Sequence, residues 1–423
     1  MKRSYLRGAR FKLSELPGDI DRVSIELIAQ DGGLARGTLY RPHGTRPRVG
    51  VLMMHPRMNQ SQSYILAPLM AGGYAALGCG TRSVHNDSNA IQERHLLDVA
   101  AAVNVLHDSG CERVVLVGNS GGAGLLTFYQ SQARTPPAQR ITRTPAGDAC
   151  DLGSYDLPPA DGLVLIAGHP GEGSRLFRWL DASVTDEDDP LSIDRSLDMY
   201  DPDNGFRVPP EPSRYSEDFL TRYQAAQEAR GRRIEQRARE RLAARADAER
   251  EIADMDSKGV GGPRHRHLVR EAALARHLLI PRMLACPEWL DLSIEPDDRD
   301  VGSFNNDPRP DLQNYEDSLA TFLTPEAFLS TWSGISSRMD LFQCLPAIAD
   351  PLLVVHYRGD AATRLSEVNR FIELSGAGDK ELVLIRGIDH WGYRITGPHQ
   401  RGERTSEGTD EVLRWLNSRF PLV

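Results

Sequence analysis

The residues with the clearest chemical potential lie in Gly118–Gly122, which reads Gly-Asn-Ser-Gly-Gly. Four apolar residues, Val114–Val117, precede it, and a helix-forming run, Leu125–Gln130, follows it. A strand that reverses directly into a helix needs glycine neighbours and holds its central side chain above the sheet edge in a strained conformation. The pattern predicts that Ser120 is a nucleophile and that the N–H of Gly121, at a helix N-terminus, stabilises an oxyanion.

A serine hydroxyl becomes a good nucleophile only when a base takes its proton, and that base needs an acid to orient it. The last predicted strand leads to Asp389 and His390, and the strand before it leads to Asp360. Because the carboxyl ends of parallel strands meet at one edge of a sheet, we expect Asp360 and His390 to lie near Ser120. The order serine, aspartate, histidine along the chain fits a hydrolytic triad on such a sheet.

The elements that must position these residues are visible as short apolar runs and helical repeats. Strands are predicted at 24–29, 34–41, 49–54, 74–79, 113–117, 162–167, 351–356 and 381–386. Helices are predicted at 61–71, 91–107, 121–130, 366–374 and 407–418. The alternation of strands and helices predicts an α/β protein with a mostly parallel central sheet flanked by helices. The turn residues at 30–33 predict a hairpin between the first two strands.

These motifs together resemble the α/β-hydrolase superfamily, over about residues 20–170 and 349–420. The matching pieces are Gly118–Gly122, the pair Gly359–Asp360 after a strand, and the pair Asp389–His390 after the last strand. The resemblance implies an α/β-hydrolase fold whose chemistry is done by side chains and water, with no cofactor.

The resemblance also assigns roles and domains. It implies Ser120 as the nucleophile, His390 as general base and then acid, and Asp360 as the orienting carboxylate. It places a large, mainly helical cap after the sixth strand, so that residues 1–170 and 349–423 form the hydrolase core and residues 171–348 form the cap.

One departure concerns the oxyanion hole. Many relatives have His-Gly after the third strand, whereas this chain has His55 and Pro56. Proline has no N–H, so we predict that the N–H of Arg57 joins that of Gly121 as the second donor. The predicted substrate pocket consists of His55, Met58, His169, Trp332 and Trp391.

Other residues compete for the catalytic roles. The base could instead be one of four further histidines, namely His55, His85, His169 and His356. Glu172, which follows the sixth strand, is the alternative acid. Asp389 is adjacent to His390 and is interpreted as a turn residue. No group of His, Cys, Asp or Glu has the spacing of metal ligands, and 265–267 (His-Arg-His) is interpreted as a solvated surface loop.

The predicted insertion contains a charged segment at 215–255 with alternating signs and a narrow apolar stripe. It is predicted either as one helix on the order of 60 Å long or as two helices with a break near Gly231. The single helix would cross the cap or contact a second copy of the chain, which favours a homodimer through the cap. A further helix is predicted at 268–286. The aromatic residues of the insertion form either a substrate pocket or the cap's own small core.

Composition excludes several classes of function. A net charge of -9 argues against nucleic acid as a partner, and no stretch is apolar and long enough to cross a membrane. The N-terminal segment lacks the apolar run of a secretory signal, and the 5 cysteines have no disulfide or metal pattern. We therefore expect a cytoplasmic protein that acts on a small molecule.

The leading hypothesis is a serine hydrolase that cleaves a carboxylic ester of a small to medium organic substrate through an acyl-enzyme. The same triad could cleave an amide, a thioester or a carbon–carbon bond of a ring-fission product. Two hypotheses come from other functional classes. A nucleotide-binding protein would need a glycine spacing that this chain lacks, and a non-catalytic scaffold would not need the three triad residues.

Overall fold

The computed structural model describes residues 16–422, except residues 85, 303, 305, 306 and 317. Within these residues, the strands of the main sheet are β1 (Ile20–Ile28), β2 (Leu34–Pro42), β3 (Val49–His55), β4 (Ala75–Gly80), β5 (Arg113–Asn119), β6 (Gly162–Ile166), β7 (Leu352–Gly359), β8 (Lys380–Asp389), β9 (Tyr393–Gly397) and β10 (Gln400–Arg404). Their order across the sheet is β1-β2-β4-β3-β5-β6-β7-β8-β9-β10.

The centre of this sheet is parallel. Strands β4, β3, β5, β6, β7 and β8 pair in parallel, whereas β1, β2, β9 and β10 pair in antiparallel fashion. The predicted α/β class, the eight predicted strands and the first hairpin are confirmed. The hairpin of β9 and β10 was not predicted, because its short strands are rich in charged residues and carry little apolar signal.

The helices that cover the sheet are α1 (Leu66–Ala71), α2 (Gln92–Asp108), α3 (Gly121–Arg134), α7 (Leu365–Leu374) and α8 (Glu407–Arg419). Side chains alternate between the two sheet faces, so Leu116 belongs to the hydrophobic core shared with α2, α3 and α7, while Val115 belongs to the core shared with α1 and α8. The first predicted helix is shorter than expected: Gln60–Gln62 form a separate 3-10 turn, and α1 begins at Leu66 with Pro68 in its first turn, where proline is tolerated.

Between β6 and β7 the chain builds a second hydrophobic core. This segment contains α4 (Glu172–Trp179), α5 (Glu217–Ser257) and α6 (Pro263–Ala273), together with long irregular stretches. The buried aromatic residues of this core include Trp179, Phe219, Tyr223, Trp289, Phe304, Phe328 and Trp332. Most of the aromatic residues of the segment thus serve as a core, although Tyr315 and Phe322 are exposed.

Helix α5 is continuous over 41 residues, so of the two alternatives the single helix is correct and the break near Gly231 is wrong. Gly231 is present for packing: a Cβ there would lie 2.5 Å from the ring of Phe177, and the same ring approaches the position of a Cβ on Gly334 to 2.5 Å. The Phe177 ring of α4 is therefore held between two glycines. The sequence alone does not distinguish a glycine that breaks a helix from one that admits a neighbouring ring.

This packing makes Gly231→Ala informative. In an exposed helix the change would stabilise by about 1 kcal/mol, but against the Phe177 ring we expect destabilisation of about 1–3 kcal/mol from overpacking. In a Phe177→Ala background the same change should be neutral or stabilising. Denaturant midpoints of the two single variants and the double variant measure this; a more stable Gly231→Ala single variant would contradict the packing argument.

Two local predictions in the same segment are wrong. The helix expected at 268–286 instead ends at Ala273, and Leu278–Leu279 form a short strand that pairs with Phe322–Leu323. Pro281 cannot continue a helical hydrogen-bond ladder, and pairing with a distant strand takes over. The His-Arg-His sequence at 265–267 lies on α6 rather than in a loop.

Two further features concern the cysteines and the hydropathy of the helices. All five cysteines are buried and free. Among the helices of the described part of the chain, none is long and apolar enough to span a bilayer.

Candidate active site

The turn between β5 and α3 holds Ser120 in a strained conformation. Its backbone has φ 55° and ψ −124°, a region that non-glycine residues occupy only at a cost. A Cβ on Gly118 would lie 2.6 Å from the backbone of Ala123, and one on Gly122 would lie 2.5 Å from the carbonyl oxygen of Met54. The two glycines let the turn close tightly, which raises the Ser120 hydroxyl above the sheet edge.

Three side chains from distant parts of the chain meet there. The Oγ of Ser120 lies 2.9 Å from Nε2 of His390, and Nδ1 of the same ring lies 2.8 Å from Oδ2 of Asp360. Asp360 is fully buried, and its Oδ1 accepts the N–H of Ala362 at 2.6 Å. The carboxylate is thereby fixed, so the imidazole faces the hydroxyl with the nitrogen that can accept its proton.

The topology places each member at the same edge. The serine follows β5, the aspartate follows β7 and the histidine follows β8, while the order β4-β3-β5 puts a topological switch point beside the serine. This strand order, the strained turn and the chain order of the three residues decide the fold. The chain has the α/β-hydrolase fold.

No family model matches the sequence, and no curated protein matches it. Solved structures similar to this α/β-hydrolase fold include a hypothetical protein from Pseudomonas aeruginosa, with 13% identity, a TM-score of 0.46, and 99% of this chain and 100% of that chain covered. The esterase domain of a Rhodothermus marinus protein has 11% identity and a TM-score of 0.41, covering 94% of this chain and 97% of that one. A thermophilic esterase from Thermogutta terrifontis has 15% identity and a TM-score of 0.40, covering 94% and 98%.

The loop after β3 has an unexpected hydrogen-bond pattern. The N–H groups of Arg57 and Met58 both donate to Nδ1 of His55, at 3.0 and 3.1 Å. The Arg57 side chain pairs with Asp87 at 2.6 Å and lies over the ring of Trp332, 5.1 Å from its centroid. The Arg57 N–H therefore has an acceptor in this structure, and its role in an oxyanion hole stays a prediction.

The alternative acid, Glu172, lies at the start of α4 and is fully buried. Its Oε2 accepts a hydrogen bond of 2.5 Å from Arg175. Burial raises the pKa of the Glu172 carboxyl, but the charges of Arg175 and Arg57 outweigh that effect and hold the pKa below its usual value. The acceptor of the His390 Nδ1–H is Asp360, not Glu172.

Among the other candidate bases, His169 follows β6 and is fully buried. Burial, reinforced by the charge of Arg175, holds the pKa of its imidazole well below the usual value. His356 lies within β7, with Nε2 3.8 Å from Asp297, and His85 lies outside the described residues. Across the residues described, no three His, Cys, Asp or Glu side chains are arranged to hold a metal ion.

The remaining predicted pocket residues are Trp391, Met58 and Trp332, and the predicted turn residue is Asp389. Trp391 packs edge-on against the His390 ring at 5.1 Å, and Met58 is half-buried in the loop after β3. Trp332 lies in the insertion and is buried. Asp389 accepts the N–H groups of Trp391 and Tyr393, both at 2.9 Å, which agrees with its interpretation as a turn residue.

Two residues beside the site were not predicted. Phe304 lies 5.2 Å from the His390 ring, centroid to centroid, and the guanidinium of Arg175 lies 5.8 Å from the centroid of the Phe304 ring. Both come from the segment between β6 and β7, whose path over the sheet has no local sequence signal. The aromatic richness of that segment was the one available hint.

Proposed function

We propose that this protein is a serine hydrolase that cleaves carboxylic esters through an acyl-enzyme. The observation that carries the proposal is the continuous hydrogen-bond chain from Ser120 through His390 to Asp360, with distances of 2.9 and 2.8 Å. Nucleophile, base and orienting acid within such distances form the geometric signature of nucleophilic catalysis.

In the proposed acylation, Nε2 of His390 takes the Ser120 hydroxyl proton as Oγ attacks the ester carbonyl carbon. The carbonyl oxygen gains negative charge, which the N–H of Gly121 at the start of α3 stabilises. His390 then gives its proton to the alkoxy oxygen, the carbon–oxygen bond breaks, and the alcohol leaves. Asp360 accepts the Nδ1–H throughout and stabilises the imidazolium.

Deacylation repeats these steps with water. His390 takes a proton from water, the resulting nucleophile attacks the acyl carbon, and the proton returns to Ser120 as the acid is released. We assign the second oxyanion donor to the N–H of Arg57, which must share its hydrogen bond to His55 or turn away from it when the oxyanion forms.

We further assign residues 1–170 and 349–423 to the hydrolase core and residues 171–348 to a cap. The separate hydrophobic core of the segment supports this division. Its contact with the triad through Phe304 and His390 supports a cap that lines the substrate pocket. In this assignment the cap determines which acyl and alcohol groups fit.

The proposal is tested by covalent labelling with a fluorophosphonate. Ser120 Oγ should form a bond to phosphorus as the phosphorus–fluorine bond breaks, and intact-mass spectrometry should show one added phosphonyl group. The Ser120→Ala variant should not be labelled, whereas Ser131→Ala, a buried serine on the same helix, should be labelled as wild type. Equal labelling of wild type and Ser120→Ala would contradict the assignment.

A further inference from the structure

Beside the proposed nucleophile, two fully buried side chains keep polar atoms without hydrogen-bond partners among the described residues. These atoms are both ring nitrogens of His169 and Oε1 of Glu172. The nearest pair, His169 Nε2 and Glu172 Oε1, is 3.9 Å apart, which is too far for a direct hydrogen bond. Buried polar atoms are nearly always paired, so this cluster is a candidate position for a bound polar group.

A third side chain directs a donor to the same place. Nδ1 of His55 accepts two backbone N–H groups, so the ring's hydrogen is assigned to Nε2. That Nε2 lies 2.9 Å from the position a Cβ on Gly121 would occupy, and Glu172 Oε1 lies 2.7 Å from the same point. A donor and an acceptor therefore converge beside the glycine whose N–H is the proposed oxyanion donor.

The charge states define what this cluster can bind. Burial lowers the pKa of the His55 imidazole to about 3, and the pKa of His169 is also depressed, so both rings are neutral near pH 7. Glu172, held by Arg175, is ionised. The cluster thus offers one anionic acceptor together with neutral ring donors and acceptors.

These features discriminate between substrate groups. A carboxylate would face the negative Oε1 of Glu172, and an alkyl group would leave every polar atom of the cluster unpaired. A hydroxyl both donates and accepts: it can donate to Glu172 Oε1 and accept from a ring N–H of His55 or His169.

We propose that His55, His169 and Glu172 form a polar subsite that binds a hydroxyl group of the substrate, within a few bonds of the scissile carbonyl. The inference rests on the proposed ester hydrolysis and narrows its substrate class to hydroxylated esters. The subsite touches the substrate but takes no part in proton transfer at the carbonyl.

The test compares three esters on wild-type enzyme: ethyl butyrate, ethyl 3-hydroxybutyrate and 2-hydroxyethyl butyrate, followed by pH-stat titration of the released acid. The second carries a hydroxyl on the acyl side and the third on the alcohol side. We expect kcat/KM for one hydroxylated ester to exceed that for ethyl butyrate by about tenfold or more, because a site that hydrogen-bonds a hydroxyl rejects the analogue without it.

Two variants then assign the preference to the subsite. Glu172→Gln keeps the shape of the side chain but removes its charge, and His169→Phe removes both ring nitrogens. In each variant, the ratio of kcat/KM for the hydroxylated ester to kcat/KM for ethyl butyrate should fall to about threefold or less. His267→Phe, an exposed histidine on α6, is the matched control and should leave the preference unchanged.

The outcomes separate the two proposals. Hydrolysis of all three esters at equal kcat/KM overturns the subsite but not the ester hydrolase. A preference that survives in both Glu172→Gln and His169→Phe also overturns the subsite. If no ester of any kind is hydrolysed and Ser120 is not labelled, the proposed function fails, and the substrate class fails with it.

Discussion

The Ser120→Ala variant is expected to hydrolyse its best ester about 10⁵-fold more slowly than wild type, measured as kcat. The methyl group cannot attack the carbonyl, and His390 and Asp360 then have no nucleophile to activate. Because triad residues act as a unit, removing the nucleophile alone eliminates almost the whole of their joint contribution. Residual activity comes only from binding and from the oxyanion donors.

The control is Ser131→Ala on the same helix, whose hydroxyl bonds to the carbonyl of Phe128 rather than to the triad. Its kcat should remain within about threefold of wild type, since the change is remote from the carbonyl. Circular dichroism should show the same helix content for both variants. A Ser120→Ala enzyme whose kcat lies within tenfold of wild type would refute the acyl-enzyme mechanism.

The Arg230→Ala variant is expected to lower the free energy of unfolding by about 3–5 kcal/mol, the usual loss when one partner of a buried ion pair is removed. Arg230 lies on α5 with its side chain fully buried, and its guanidinium pairs with Glu187 at 2.7 and 2.9 Å. It also donates to the backbone carbonyls of Asp181, Arg282 and Pro281. The truncation would leave a buried carboxylate and several carbonyls without this donor.

Arg232 is two positions away on the same helix and serves as the matched control. It is exposed and lies 3.5 Å from Glu228, a surface pair worth about 0–1 kcal/mol. Urea unfolding followed by fluorescence should give a clearly lower midpoint for Arg230→Ala and almost no change for Arg232→Ala. Equal midpoints would show that the buried guanidinium does not hold this segment together.

The arrangement of the candidate site was predictable from the sequence because each part of it has a local signature. The glycines around Ser120 indicate a tight turn, and the apolar runs indicate strands whose carboxyl ends lie at one edge of the sheet. Asp360 and His390 follow such runs directly. Local patterns and one topological rule were therefore enough to predict that three residues, up to 270 positions apart, lie close together. In the structure they are joined by hydrogen bonds.

The segment between β6 and β7 was much harder to predict. Gly231 lies within the continuous helix α5, where the ring of Phe177 packs against it. The end of α6 leads to a strand pair formed with residues more than 40 positions away. Contacts of this kind override helix propensity and leave no trace in the local spacing. The hairpin of β9 and β10 was missed because its strands are short and four of their ten residues are charged.

The sequence by itself predicted the parallel sheet, the strained turn and the proximity of Ser120, Asp360 and His390, because strands and turns follow from neighbouring residues. Only the tertiary structure decided that the N–H groups of Arg57 and Met58 face His55 and that buried polar atoms gather beside Gly121. Those features depend on how side chains from separate elements desolvate and pair with one another. Burial and distance between such elements are properties of the packed chain, which residue spacing does not encode.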